Sequence, residues 1–189
     1  MRAAATLWEF LGLTKSQGWQ KRPRAEWAAA ETETVRKIVE ALGQIEPERA
    51  RYIAAFAYLL SRVARADLKI SPEEELEMER IVSERGGLSK EQAALVVQIA
   101  RNQNRLFGAT ENFLVGREFD RIATREQKIA LLHCLYAVSS ADKSISTTED
   151  HEIREIAREL KLDHSDYIDV RLAFREYLSV LKNPPGSES

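Results

Sequence analysis

The chain is short of the residues that mark most non-helical folds. It has one cysteine, 8 glycines and 5 prolines among 189 residues, and aromatic side chains make up only 7%. A lone thiol, Cys134, cannot close an internal disulfide, so a reducing, cytoplasmic setting is expected. Scarce glycine and proline, against many alanine, leucine, glutamate and arginine residues, favour helices over turn-rich strand folds. The longest nearly apolar run, residues 52–60, falls well short of the roughly 20 residues that cross a bilayer. At the N-terminus Glu9 interrupts the apolar stretch after Arg2, which makes it a poor secretory signal. An excess of one charge is also lacking. The formal net charge of −2 excludes a broadly basic nucleic-acid binder, and no nucleic-acid partner is expected.

That average conceals an uneven distribution. Residues 1–30 hold all three tryptophans (Trp8, Trp19, Trp27) and five basic against two acidic residues, +3 in all, leaving −5 for the remainder. They are expected to form a basic N-terminal extension, with a short helix over residues 3–11 and a basic loop through Pro23. Its Leu7, Trp8, Phe10 and Leu11 suit docking onto the domain itself or onto a partner protein, with peripheral membrane contact as the other option. Residues 31–182 form the helical domain. Residues 183–189, with paired prolines that cannot continue a helix, are expected to form a disordered tail.

Within the domain the apolar period is helical throughout. Ile53, Phe56, Ala57, Leu60, Val63 and Ala64 trace one stripe of a buried helix. Val35, Ile38, Val39, Leu42 and Ile45 do the same in an earlier helix that ends before Pro47. No segment alternates at period two, so strands are not expected. Sliding the sequence along itself by 75 residues lays Ala66-Asp67-Leu68-Lys69-Ile70-Ser71 over Ala141-Asp142-Lys143-Ser144-Ile145-Ser146. Phe56, Ala57, Leu60 and Val63 then overlie Leu131, Leu132, Leu135 and Val138, and Leu95, Val97 and Ile99 overlie Val170, Leu172 and Phe174. The expected architecture is all-α, a bundle of about eight helices from two three-helix repeats, residues 50–103 and 125–181, around a shared core.

The helix starts agree with this division. Ser71-Pro72-Glu73-Glu74, Ser89-Lys90-Glu91-Gln92, Thr124-Arg125-Glu126-Gln127 and Ser146-Thr147-Thr148-Glu149 all read as capping boxes, and Asp163 reads as a further cap. Gly86-Gly87 breaks the chain between two helices, and residues 104–123 bridge the halves with a short helix around 111–119.

The element shared by both halves is Asp-x-x-Ile-Ser-x-x-Glu, from Asp67 to Glu74 and from Asp142 to Glu149. Its order resembles the second part of an EF-hand loop, where carboxylate oxygens gather around a hard cation such as Ca²⁺. The earlier ligand positions hold Val63 and Arg65 in one half, Val138 and Ser140 in the other, so neither is a complete EF-hand loop. The same residues also have an ion-free role. Glu74 and Glu149 can close capping boxes, and Asp67 and Asp142 can close Asx turns.

The pair of Ala-Asp-x-x-Ile-Ser-x-x-Glu turns, each following an apolar helix such as Arg51-Tyr52-Ile53-Ala54-Ala55-Phe56 or Leu135-Tyr136-Ala137-Val138, resembles the TerB (tellurite-resistance) family. The likeness covers roughly residues 45–182. It implies an all-helical, non-catalytic domain of two related halves, with Asp67, Glu74, Asp142 and Glu149 as ligands for a divalent cation, Ca²⁺ foremost. It also implies a tellurite- or stress-response setting and partner proteins. Family members often carry Gly directly after the Asp, where this chain has Leu68 and Lys143.

Other features point to structure. Glu73, Glu74, Glu75, Glu77 and Glu79 suit a solvated face near a helix N-terminus. His133, His151 and His164 lack metal-ligand spacing, and Cys134 falls opposite Leu59 in the offset, a small buried apolar position. There is no Gly-x-Ser-x-Gly motif and no phosphate-binding glycine loop. The expectation is a cytoplasmic, non-enzymatic accessory domain that binds a divalent cation and presents a surface to partner proteins. The alternative is a metal-free structural protein-protein interaction module. A hydrolytic enzyme with paired carboxylates is a third class, and it requires a cleft.

Overall fold

The computed structural model describes residues 33–63, 72–102 and 112–182. The extension over residues 1–30, with its expected helix and three tryptophans, and the tail over residues 183–189 lie outside the described residues. The helices are α1 (Glu33–Gly43), α2 (Pro47–Val63), α3 (Pro72–Gly86), α4 (Lys90–Arg101), α5 (Asn112–Ile122), α6 (Arg125–Ser139), α7 (Thr147–Glu159) and α8 (His164–Leu172). A 3₁₀ turn (Arg175–Tyr177) and a single helical turn, α9 (Ser179–Lys182), follow. The fold is all-α. Among the described residues the only strand-like feature is a parallel bridge between Ile145 and Leu178.

Local chemistry sets the boundaries. Pro47 opens α2 where a missing N–H costs nothing, and the Glu46 carboxylate accepts the Arg49 N–H at 3.0 Å. Both partners of the capping box are present at Ser89/Gln92 and at Thr124/Gln127. Asp163 stands at the N-cap of α8 but makes no side-chain capping bond. The carboxylate used at that end is Asp166, buried and bound to the Arg125 guanidinium at the start of α6. Gly87, at φ +63°, turns the chain out of α3 in the left-handed region that glycine adopts without strain.

Two helices carry the core. α2 packs against α1, α4, α5, α6 and α7, while α6 packs against α2, α3, α7 and α8. The stripe Ile53, Phe56, Ala57, Leu60 and Val63 is buried, and so are the positions between apart from the partly exposed Arg62, because α2 has neighbours on most sides. α3 approaches this pair closely at Gly86, where an added Cβ would sit 3.1 Å from Phe56 Cζ and 3.4 Å from Cys134 Sγ. Cys134 is wholly buried, and that burial pushes its thiol pKa up to about 12, so it behaves as a small apolar side chain.

The 75-residue offset holds at the starts of α3 and α7, Pro72 and Thr147. It weakens at the third helix of each half. α4 has 12 residues and α8 has 9, and Val97 is fully buried where its counterpart Leu172 is 53% exposed.

α7 ends in a Schellman motif. Leu162 N–H donates to Ala157 O at 3.1 Å and Lys161 N–H to Arg158 O at 3.0 Å, with Lys161 at φ +53°. The Lys161 ammonium lies 2.5 Å from Asp120 Oδ2, but the side chain is 76% exposed, so that pair contributes little. Lys161→Gly, which relieves the left-handed backbone, should therefore raise stability by up to about 1 kcal/mol. Lys161→Ala keeps the strain and loses the pair, and should fall slightly below the parent in urea denaturation. An alanine variant more stable than the glycine variant would refute this ordering.

Candidate functional site

The second acidic turn is fully described. α6 stops at Ser139, α7 starts at Thr147, and the chain reverses across residues 140–146. Asp142 is exposed, and its Oδ1 accepts the Ser144 N–H at 3.0 Å, closing an Asx turn. Lys143 follows at φ +65°, the left-handed region. A glycine directly after the aspartate is thus the unstrained choice at this position, and this chain meets the same backbone demand with lysine.

Ile145 gives the turn its anchor. Its side chain is fully buried, its N–H donates to Tyr177 O at 2.7 Å, and its carbonyl accepts the Ser179 N–H at 3.0 Å. Ser146 caps α7. The Ser146 N–H and hydroxyl both donate to Glu149 Oε2, at 2.8 and 2.7 Å, and Glu149 N–H donates back to Ser146 Oγ at 3.2 Å. The capping box expected from the sequence is complete.

Asp142 and Glu149 are hard oxygen donors of the kind Ca²⁺ takes; Asp142 is exposed and Glu149 is partly buried. Asp142 Oδ2 and Glu149 Oε1 make no hydrogen bond to any described residue, so each carboxylate can offer an oxygen without opening the turn. Among the described residues no three His, Cys, Asp or Glu side chains are grouped to hold a metal ion. In the first turn Asp67 lies outside the described residues, as does the side chain of Glu74, whose backbone belongs to α3.

Two polar clusters beside this turn escaped the sequence reading. The Arg62 side chain of α2 is 7% exposed, donating from Nε to Glu152 Oε1 at 2.8 Å and from its two terminal nitrogens to Glu159 at 2.7 and 3.0 Å. Asp150, one residue past Glu149, accepts the Tyr136 hydroxyl at 2.8 Å and a two-pronged contact from Arg171 at 2.9 and 2.8 Å. Burial opposes the Asp150 charge, but the bonds from Arg171 and Tyr136 outweigh it and hold the carboxyl below its usual range. Burial also drives the Tyr136 phenol well above its ordinary value, so the cluster stays a neutral phenol donating to an ionised carboxylate. The sequence separations involved, 14 to 97 residues, leave no local pattern to find. The visible trace was an arginine just past the apolar run of α2, between Leu60 and Val63 of its buried stripe.

Of the histidines, His133 packs against Phe174 with ring centroids 6.2 Å apart. Burial first, and then the Arg85 charge, lowers its pKa. No helix among the described residues is long and apolar enough to cross a membrane.

In comparison with known proteins, the family model described as tellurite resistance protein TerB matches residues 52–172. That span runs from the first turns of α2 to the end of α8 and contains both Asp-x-x-Ile-Ser-x-x-Glu segments. No curated protein matches the chain, and no solved structure does.

Proposed function

The chain belongs to the TerB family, and from that premise we propose a non-catalytic accessory domain that holds a divalent cation, Ca²⁺ by preference, on its two acidic turns. The domain presents a surface to partner proteins in a tellurite- or stress-response setting within the cytoplasm. Asp67 and Asp142 supply carboxylate ligands directly; Glu74 and Glu149 close each turn by ligation or by capping. The basic, tryptophan-bearing residues 1–30 provide the contact to a partner protein, with peripheral membrane contact as the lesser use of the same segment.

The observation that carries this reading is the recurrence of Asp-x-x-Ile-Ser-x-x-Glu at a 75-residue spacing. It is supported by the second turn, which stands formed with one uncommitted oxygen on each carboxylate. A metal-free interaction module is the second reading, and the same turn favours it in one respect. Its Asx turn and capping box already satisfy the backbone without an ion.

Calorimetric titration with Ca²⁺ and Mg²⁺ separates the two. The parent chain should give saturable Ca²⁺ heats, and the double variant Asp67→Asn with Asp142→Asn should lose them. Background heats from both proteins would remove the cation and leave the interaction module.

A further inference from the structure

Beyond the acidic turns, α7 and α8 enclose a groove of about 420 Å³ whose chemistry is of the opposite sign. α7 lends it Asp150, His151 and Arg154, and α8 lends His164, Tyr167 and Arg171. Among the described lining residues Asp150 is the one carboxylate, and its oxygens are already taken by Arg171 and the Tyr136 hydroxyl. It therefore fixes the Arg171 guanidinium in place rather than competing for a ligand. Arg171 Nη1 and all of the Arg154 guanidinium make no hydrogen bond to a described residue, although the Arg154 charge also acts on Asp150. Two guanidinia against one carboxylate leave the groove positive, in a region of the chain that is otherwise acidic. Two imidazoles, His151 and His164, add ring donors at its sides, and the Tyr167 ring, 8% exposed, adds an apolar surface.

From this arrangement we propose that the α7–α8 groove is a binding site for a phosphate-class dianion, either inorganic phosphate or the phosphate of an ester. Arg154 is the principal ligand group, Arg171 is the second, and the two histidines complete the ring of donors. Guanidinium forks match the tetrahedral oxyanion through paired, charge-assisted hydrogen bonds. The site shares no ligand with the acidic turns, so it stands whether or not they hold a cation.

The test is calorimetric titration of the full chain with inorganic phosphate at constant ionic strength, with chloride as the blank and phenyl phosphate as a second arm. Phosphate should bind saturably. Arg154→Gln should weaken it at least about tenfold. Arg158→Gln, which removes an arginine 71% exposed on the same helix and paired with Glu155, should leave binding unchanged. Tighter binding of phenyl phosphate would support the site and identify an ester as its preferred form, whereas equal binding would support the free anion. Phosphate heats no larger than those of chloride, or an equal loss in Arg158→Gln, would overturn the proposal.

Discussion

Arg62→Met should lower the stability of the fold by about 3 kcal/mol. The arginine side chain is 7% exposed and lies between two carboxylates of α7, with three nitrogens engaged. Burial by itself discourages its charge, and the Glu159 and Glu152 carboxylates outweigh that penalty and keep the guanidinium protonated. Methionine fills much of the space but leaves both carboxylates facing α2 with no partner. Breaking a buried pair from one side typically costs about 3–5 kcal/mol, and the lower end applies because Glu152 and Glu159 are 31% and 22% exposed. The triple variant Arg62→Met, Glu152→Gln, Glu159→Gln should recover more than half of the loss, since no buried charge is then stranded. Urea denaturation of the three proteins decides it. A triple variant no more stable than the single one would show that packing, not charge, holds this contact.

Phe119→Ala should cost about 4 kcal/mol. Phe119 of α5 is fully buried, stacked on Tyr52 with centroids 5.2 Å apart and edge-on to Phe56 at 6.2 Å. These rings fasten α5 to the central helix, and removing one leaves a hole that two rigid helices cannot close. Phe119→Leu, which keeps most of the volume, should cost no more than about 1.5 kcal/mol. The neighbouring phenol offers a second readout. Burial pushes the Tyr52 pKa up to about 12, against the opposing pull of Arg49. Water entering the cavity of the alanine variant should bring that value down toward 10 in an ultraviolet pH titration. A Tyr52 titration unchanged in the alanine variant would mean that the site had collapsed and stayed dry.

Much of the fold was legible because helices announce themselves locally. Ser89, Thr124 and Ser146 each sit three residues before a Gln or Glu, and each becomes a complete capping box, since the geometry involves only the residues of one turn. The bridging helix expected near 111–119 is Asn112–Ile122, and Gly87 adopts the backbone that a helix break requires. What could not be read is long-range pairing. The two-pronged grip of Arg171 on Asp150, and of Arg62 on Glu159, joins residues far apart in the chain, so no spacing rule reaches them. Asp163 illustrates the converse failure. It has the right residue type at the right place, but the tertiary contact belongs to Asp166. In the candidate site, Asp142 and Glu149 were legible as an acidic turn. The left-handed backbone at Lys143 was visible only as a missing glycine.

The bridge at Ile145 bears on more than the shape of the turn. Its two backbone hydrogen bonds to Tyr177 and Ser179 join the acidic turn to the last described turn of the chain. Neither segment can shift alone without giving up both bonds. A ligand whose affinity differed between two positions of this turn would bias the chain after Phe174 as well, by no more than those two bonds can transmit. By thermodynamic reciprocity, a protein that bound that C-terminal segment with the same bias would change affinity at the turn by the same factor. Two binding events at opposite ends of one short bridge would in this way share a single equilibrium.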